Sequence, residues 1–169
     1  MAVDFGNNIK RWHANSPLTD YNKTPTEYIT IHDYYSRVLE VPKLNTINLI
    51  IALGAFNAFI AVAAGAFAAH GLKGILSIEY INTFKTAADY QMMHGIGMIL
   101  IGILNKQDTN RCNITAAAFM FVGIILFSGS LYILTLTGTK WLGIITPFGG
   151  VCFLIAWLTL GFNYLLKKE

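Results

Sequence analysis

At 169 residues the chain has the length of one ordinary domain, yet 54% of it is hydrophobic and only 12% charged, where a soluble domain carries about a quarter charged residues. The net charge of +3 is small and dispersed, which excludes a nucleic-acid-binding surface. Cys112 and Cys152, both at or in hydrophobic segments, form neither a disulfide framework nor a zinc pattern and read as small apolar residues.

Residues 1–46 form a polar extension with five basic and five acidic side chains, rich in aromatics: Trp12, Tyr21, Tyr28, Tyr34 and Tyr35. Thr24 can cap a helix there, with Pro25 in its first turn and Glu27 closing a capping box. Tyr28, Ile31, Tyr35, Val38 and Leu39 recur at helical spacing, and Pro42 limits the far end. The pattern predicts an amphipathic helix over residues 25–40, lying on the membrane surface or against a partner protein. The hydrophobic stretches begin only at Ile47, too late for a secretory signal peptide, and the start is not Arg-rich as a cleaved mitochondrial presequence would be.

Residues 47–69 hold no Asp, Glu, Lys or Arg, and the same is true of residues 112–139 and 141–166. About 20 helical residues cross the ~30 Å hydrocarbon layer, so each window is long enough. The first span, 47–69, ends in His70-Gly71-Leu72-Lys73-Gly74, a turn sequence, and Ser77 can cap the next helix. That helix begins outside the hydrocarbon with Glu79 and Lys85, and crosses it over residues 87–104. Residues 105–111 read as a polar loop. The third span covers about 113–136, Gly138-Thr139-Lys140 makes a tight connection, and the fourth covers 141–166 before Lys167, Lys168 and Glu169. The expected fold is all-α: an integral membrane four-helix bundle at 47–166, behind the polar extension and ahead of a basic end at 167–169. Arg37, Lys43, Lys106, Arg111, Lys167 and Lys168 fall on one side of such a topology against Lys73, Lys85 and Lys140 on the other, which predicts both termini on the cytoplasmic or matrix side.

Bilayer helices associate through close backbone approach and interhelical hydrogen bonds, so small residues are expected at the seams. Candidate stripes are Gly54, Ala58, Ala61, Gly65 and Ala69 in the first helix, and Ala87, Gln91, His94 or Gly95, Met98 and Gly102 in the second. Ala116, Gly123, Ser130 and Thr137 recur every seven residues in the third, as do Gly143, Gly150 and Trp157 in the fourth. Pro147, with Gly149 and Gly150, is expected to kink or loosen the fourth helix by freeing the carbonyl of Gly143.

Polar side chains inside a span cost free energy and mark structure or function. His70, Asp89, Gln91, His94, Ser128, Ser130 and Thr146 all fall toward the same leaflet, which predicts a polar cluster between the helices. It either ties the bundle together or forms a binding or permeation site for a small molecule or a proton. Asp89 and His94 lie about 140° apart around a helix, so they form no dyad, and Asp89 stands four residues after Lys85 as an interfacial ion pair would. His70 and His94 could ligate haem iron from two helices. No nucleophile elbow, Walker motif or HExxH spacing occurs, so no catalytic residue and no metal site is assigned. The expected protein is not an enzyme and holds no cofactor beyond bound lipid.

The runs Gly65-Ala66-Phe67-Ala68-Ala69-His70-Gly71-Leu72, Thr86-Ala87-Ala88-Asp89-Tyr90-Gln91 with His94, Phe127-Ser128-Gly129-Ser130-Leu131-Tyr132, Leu142-Gly143, Thr146-Pro147 and Gly149-Gly150 through Trp157 resemble the YgdD-like family of small bacterial inner-membrane proteins. Eukaryotic relatives of that family are called transmembrane protein 256. The match covers about residues 49–165 and leaves the extension outside it, and Ala68 stands where the family has a glycine. The resemblance implies a four-helix membrane protein and supplies no catalytic residue or cofactor. The expected role is a non-catalytic accessory or structural subunit of a larger membrane complex, in contact with lipids and other subunits. Its setting is a mitochondrial inner-membrane assembly such as a respiratory-chain complex if the source is eukaryotic, and the cytoplasmic membrane if it is bacterial. The alternative is a small-molecule or proton transporter or binder that uses the polar cluster.

Overall fold

The structure, a computed structural model, describes residues 45–107 and 110–167. The helix expected over residues 25–40, and Lys168 and Glu169, lie outside the described residues. Among the described residues, four helical segments are long and apolar enough to cross a membrane: Thr46–His70, Ile78–Gln107, Arg111–Thr137 and Lys140–Leu165. We label their parts α1 (Thr46–His70), α2 (Ile78–Gln107), α3 (Arg111–Ile124), a π-helical turn (Ile125–Gly129), α4 (Ser130–Thr137), a 3-10 turn (Lys140–Ile144) and α5 (Thr146–Leu165).

Local chemistry sets the ends. Asn45 caps α1, its side chain accepting the Ile47 N–H at 3.1 Å, and Asn110 caps α3 in the same way through the Cys112 N–H at 2.9 Å. Gly138 closes α4 in the left-handed region at φ 72°, where a residue with a Cβ would be strained.

α2 is the central element. Half of its most apolar window is buried inside the protein, against 22% for α1 and for the fourth span. Its buried residues fall into two stripes. Ile81, Phe84, Ala88, Gln91, Gly95, Met98, Gly102 and Asn105 follow alternating steps of three and four, and so do Ile50, Gly54, Asn57 and Ala61 of α1, with Ala68 seven residues further on. That 3.5-residue repeat keeps a seam facing its partner along a left-handed pair. Ala87, His94 and Ile101 form the second stripe, at seven-residue intervals. His94 there stacks on Phe153 of α5, and Gly97 faces Met120 of α3. A helix buried on two sides must be small on one of them. A Cβ on Gly95 would lie 3.0 Å from the Gly54 carbonyl oxygen, and one on Gly54 would lie 2.6 Å from that of Gly95. At Gly102 the added carbon would run into the Ile51 side chain.

Several expectations are corrected here. Residues 105–111 are not all loop: α2 continues to Gln107, and Asn105 is helical and wholly buried. Its polarity serves an internal bond, the Asn110 N–H donating to Asn105 Oδ1 at 2.7 Å. Pro147 does not kink a continuous helix. The fourth span is already divided by the 3-10 turn, and Pro147 sits in the first turn of α5, where its missing N–H falls among donors with no intrahelical partner. The buried seam of α5 is Gly149, Phe153 and Ala156 rather than Gly143 and Gly150, and Trp157 borders it, half-exposed, against His94 and Gly97 of α2. Gly149 abuts the backbone of Phe127, and Gly123 faces the Phe153 ring. A Cβ on Gly65 would meet nothing within 4 Å, one on Gly150 would meet only Phe127 Cδ2 at 4.0 Å, and one on Gly143 would make ordinary contact with Leu134 at 3.5 Å. The expected stripe of α1 lies on the seam at Gly54, Ala58 and Ala61 and leaves it at Gly65 and Ala69, because a paired helix advances by alternating three and four.

Candidate functional site

Ser128 falls in the π-helical turn and Ser130 opens α4. The third span packs against both α2 and α5, so residues on different faces of it can be covered, and both serines are buried. Ser130 donates to the Phe127 carbonyl at 3.0 Å and lies 2.8 Å from Thr146 Oγ1. Thr146 Oγ1 also lies 3.5 Å from the Leu142 carbonyl oxygen, so either hydroxyl can donate to the other, and the contact ties α4 to α5.

Gln91 occupies the centre. Its Nε2 donates to Asn57 Oδ1 at 3.0 Å, its Oε1 accepts from the Tyr132 hydroxyl at 2.8 Å, and Asn57 Nδ2 donates to the Leu53 carbonyl at 2.8 Å. One amide thus links α1, α2 and α4. His94 is held at both ring nitrogens: Nδ1 lies 2.7 Å from the Tyr90 carbonyl oxygen, and Trp157 Nε1 donates to Nε2 at 3.2 Å. A carbonyl can only accept and an indole N–H can only donate, so the ring is the neutral tautomer with its hydrogen on Nδ1. The ring lies parallel to Phe153, centroids 3.5 Å apart and planes 10° apart, and Tyr90 stacks on Phe127 at 4.5 Å.

The expected cluster is therefore narrower than its sequence outline. Gln91, His94, Ser128, Ser130 and Thr146 face the interior, whereas His70 and Asp89 are exposed. His70 ends α1, away from the Phe153–Trp157 face that holds His94, so the structure does not bring the two histidines together. Lys85 and Asp89 are both exposed, and no ion pair forms between them. Asn57, Tyr132 and Trp157 complete the cluster; Asn57 and Tyr132 were missed, and Trp157 was expected only as a packing residue of the fourth span. Only their neighbours reveal the use of the Tyr132 O–H and the Trp157 N–H.

A second polar layer, also missed, lies toward the other membrane face. Asn110 Nδ2 donates to Asn163 Oδ1 at 2.8 Å, Asn163 Nδ2 to Asn113 Oδ1 at 3.2 Å, and Asn113 Nδ2 to the Tyr164 hydroxyl at 3.2 Å. Among the described residues two buried side-chain polar atoms, Ser128 Oγ and Asn105 Nδ2, have no partner. Among the described residues no group of three or more His, Cys, Asp or Glu side chains is arranged to hold a metal ion.

Residues 64–150 match the family described as "Protein of unknown function (DUF423)". A UPF0382 membrane protein of Staphylococcus aureus is 50% identical over 114 residues, covering 67% of this chain and 92% of that relative. One of Staphylococcus epidermidis is 49% identical over 113 residues, with the same coverage of 67% and 92%. The UPF0382 membrane protein YwdK of Bacillus subtilis is 45% identical over 112 residues, covering 66% of this chain and 91% of the relative. No solved structure matches the chain.

Proposed function

The chain belongs to the DUF423 family of membrane proteins, and from that premise we propose that it is a non-catalytic structural protein, an accessory subunit within a larger membrane assembly. One observation carries the reading: most of the intramembrane polar side chains, Ser128 excepted, are turned on one another or on backbone carbonyls. Gln91 is bonded through both its oxygen and its nitrogen, His94 through both ring nitrogens, and Ser130 and Thr146 bond each other. Groups spent in this way fix helix positions and have little capacity left to pass a proton or turn over a substrate.

The second support is the third of the chain that lies beyond the relatives' alignment. Chain added to a membrane core that relatives use without it is material for contact with another subunit. Within the family we infer the YgdD-like branch, since its motif runs from Gly65 to Gly150 fall inside the matched residues 64–150. We infer both termini on the cytoplasmic or matrix side, from the six basic residues on that face against three on the other.

Gentle solubilisation of native membranes followed by sizing tests the role. The expected result is a species of fixed composition well above the 18.7 kDa of the chain. Migration as a lone chain in its detergent micelle would refute it.

A further inference from the structure

We propose that the groove between α1 and the third span holds an uncharged lipid carrying a carbonyl group, anchored by the Ser128 hydroxyl. This goes beyond the accessory role and does not rest on it. The groove exists because α1 packs along α2 without closing against the third span. It has a volume of about 430 Å³, within the range of small-ligand sites. Gln91 lies on its α2 side, Ile60 on α1, and Ile125, Ser128 and Ile133 on the third span. Ile60 and Ile133 are exposed, so the mouth opens sideways into the bilayer.

Ser128 is the unexplained group. It is 1% exposed and its Oγ has no partner. Thr83, Thr86, Thr115, Thr135 and Thr137 each turn their hydroxyl onto the carbonyl four residues back, the usual fate of such a group in a helix. Ser128, in the π-helical turn, does not. A buried hydroxyl left unpaired costs free energy that a ligand would recover, and π-turns recur at functional sites. Gln91 lines the same groove, and its Nε2 keeps a second N–H beyond the one given to Asn57. Two donors in one wall suit an acceptor oxygen.

Charge and depth narrow the class. None of the residues lining the groove is ionisable at neutral pH. Ser128 lies nine residues before the end of α4 at Thr137, about 14 Å along the span and thus near the middle of the hydrocarbon. A phosphate headgroup is strongly disfavoured at that depth, whereas an uncharged carbonyl is tolerated. A quinone ring and an acylglycerol ester share this chemistry.

The full chain, purified in detergent, is titrated with a short-chain prenyl benzoquinone, with dioctanoylglycerol and with short-chain phosphatidylglycerol, and binding is followed by thermal shift and fluorescence. At least one neutral probe is expected to bind saturably, and which one identifies the source; the anionic lipid is expected not to compete. Ser128→Ala should weaken that binding about three- to tenfold, the worth of one hydrogen bond, while leaving the unliganded melting temperature unchanged or higher. Gly129→Phe should abolish it, since Gly129 lines the groove and a Cβ there meets nothing within 4 Å. Failure of both neutral probes to saturate, tighter binding of phosphatidylglycerol, or unchanged affinity in Ser128→Ala would each overturn the proposal.

Discussion

Gln91 shows how a single side chain can order a membrane bundle. Its amide meets Asn57 on one neighbour and Tyr132 on another, and water is not there to replace either bond. Gln91→Leu should lower stability in detergent by about 1–3 kcal/mol, because two partners are left unpaired where interhelical bonds themselves average about 0.6 kcal/mol. Thermal unfolding of the purified variant measures it. The glycines make a sharper contrast. Gly54→Ala forces a carbon against the Gly95 carbonyl and should cost about 1–3 kcal/mol as overpacking does. Gly65→Ala has open space and should stay within about 0.5 kcal/mol of the parent. Equal effects at the two positions would refute the α1–α2 seam. For His94, nitrogen NMR shifts should report a protonated Nδ1 and a bare Nε2.

The elements differ in what holds them. α2 carries Glu79, Lys85, Asp89 and Lys106 and is the least apolar span by hydropathy, at 1.2 against 1.9 to 2.2 for the others. It can be so because its neighbours, rather than lipid, surround much of it. The fourth span resolves its proline differently from a kinked helix, by starting α5 at Thr146. Pro147→Ala should therefore change stability by less than about 0.5 kcal/mol, whereas a proline placed mid-helix at Ile155 should cost about 3 kcal/mol or more. Helicity and melting temperature of the two variants test this.

For the whole molecule, four spans place the turn after α1 and the connection after α2 on opposite membrane faces. Lys73→Cys and Gln107→Cys, each in a background free of Cys112 and Cys152, should label with an impermeant thiol reagent from opposite sides of sealed vesicles. Labelling of both from one side would overturn the four-span topology. The same arrangement leaves α1 standing on α2, with Phe56, Phe59 and Val62 turned outward. In lipid that face needs no protein cover, so the groove beside it can persist.

The spans were legible in the sequence because transfer of a helix into hydrocarbon depends on composition and length, both local properties. That Gln91, His94, Ser128, Ser130 and Thr146 are candidates for the interior was legible for a related reason, since a polar side chain in a span is costly against lipid. Rotation about the helix axis was not. Which of His70, Asp89 and Gln91 faces inward, which glycines meet a neighbour, and that Asn57, Tyr132 and Trp157 close the polar cluster all depend on the partner helix. The π-helical turn was equally hidden, because nothing in Ile125 to Gly129 forbids a regular helix. It is seen only in the folded chain, where the third span packs against α2 and α5.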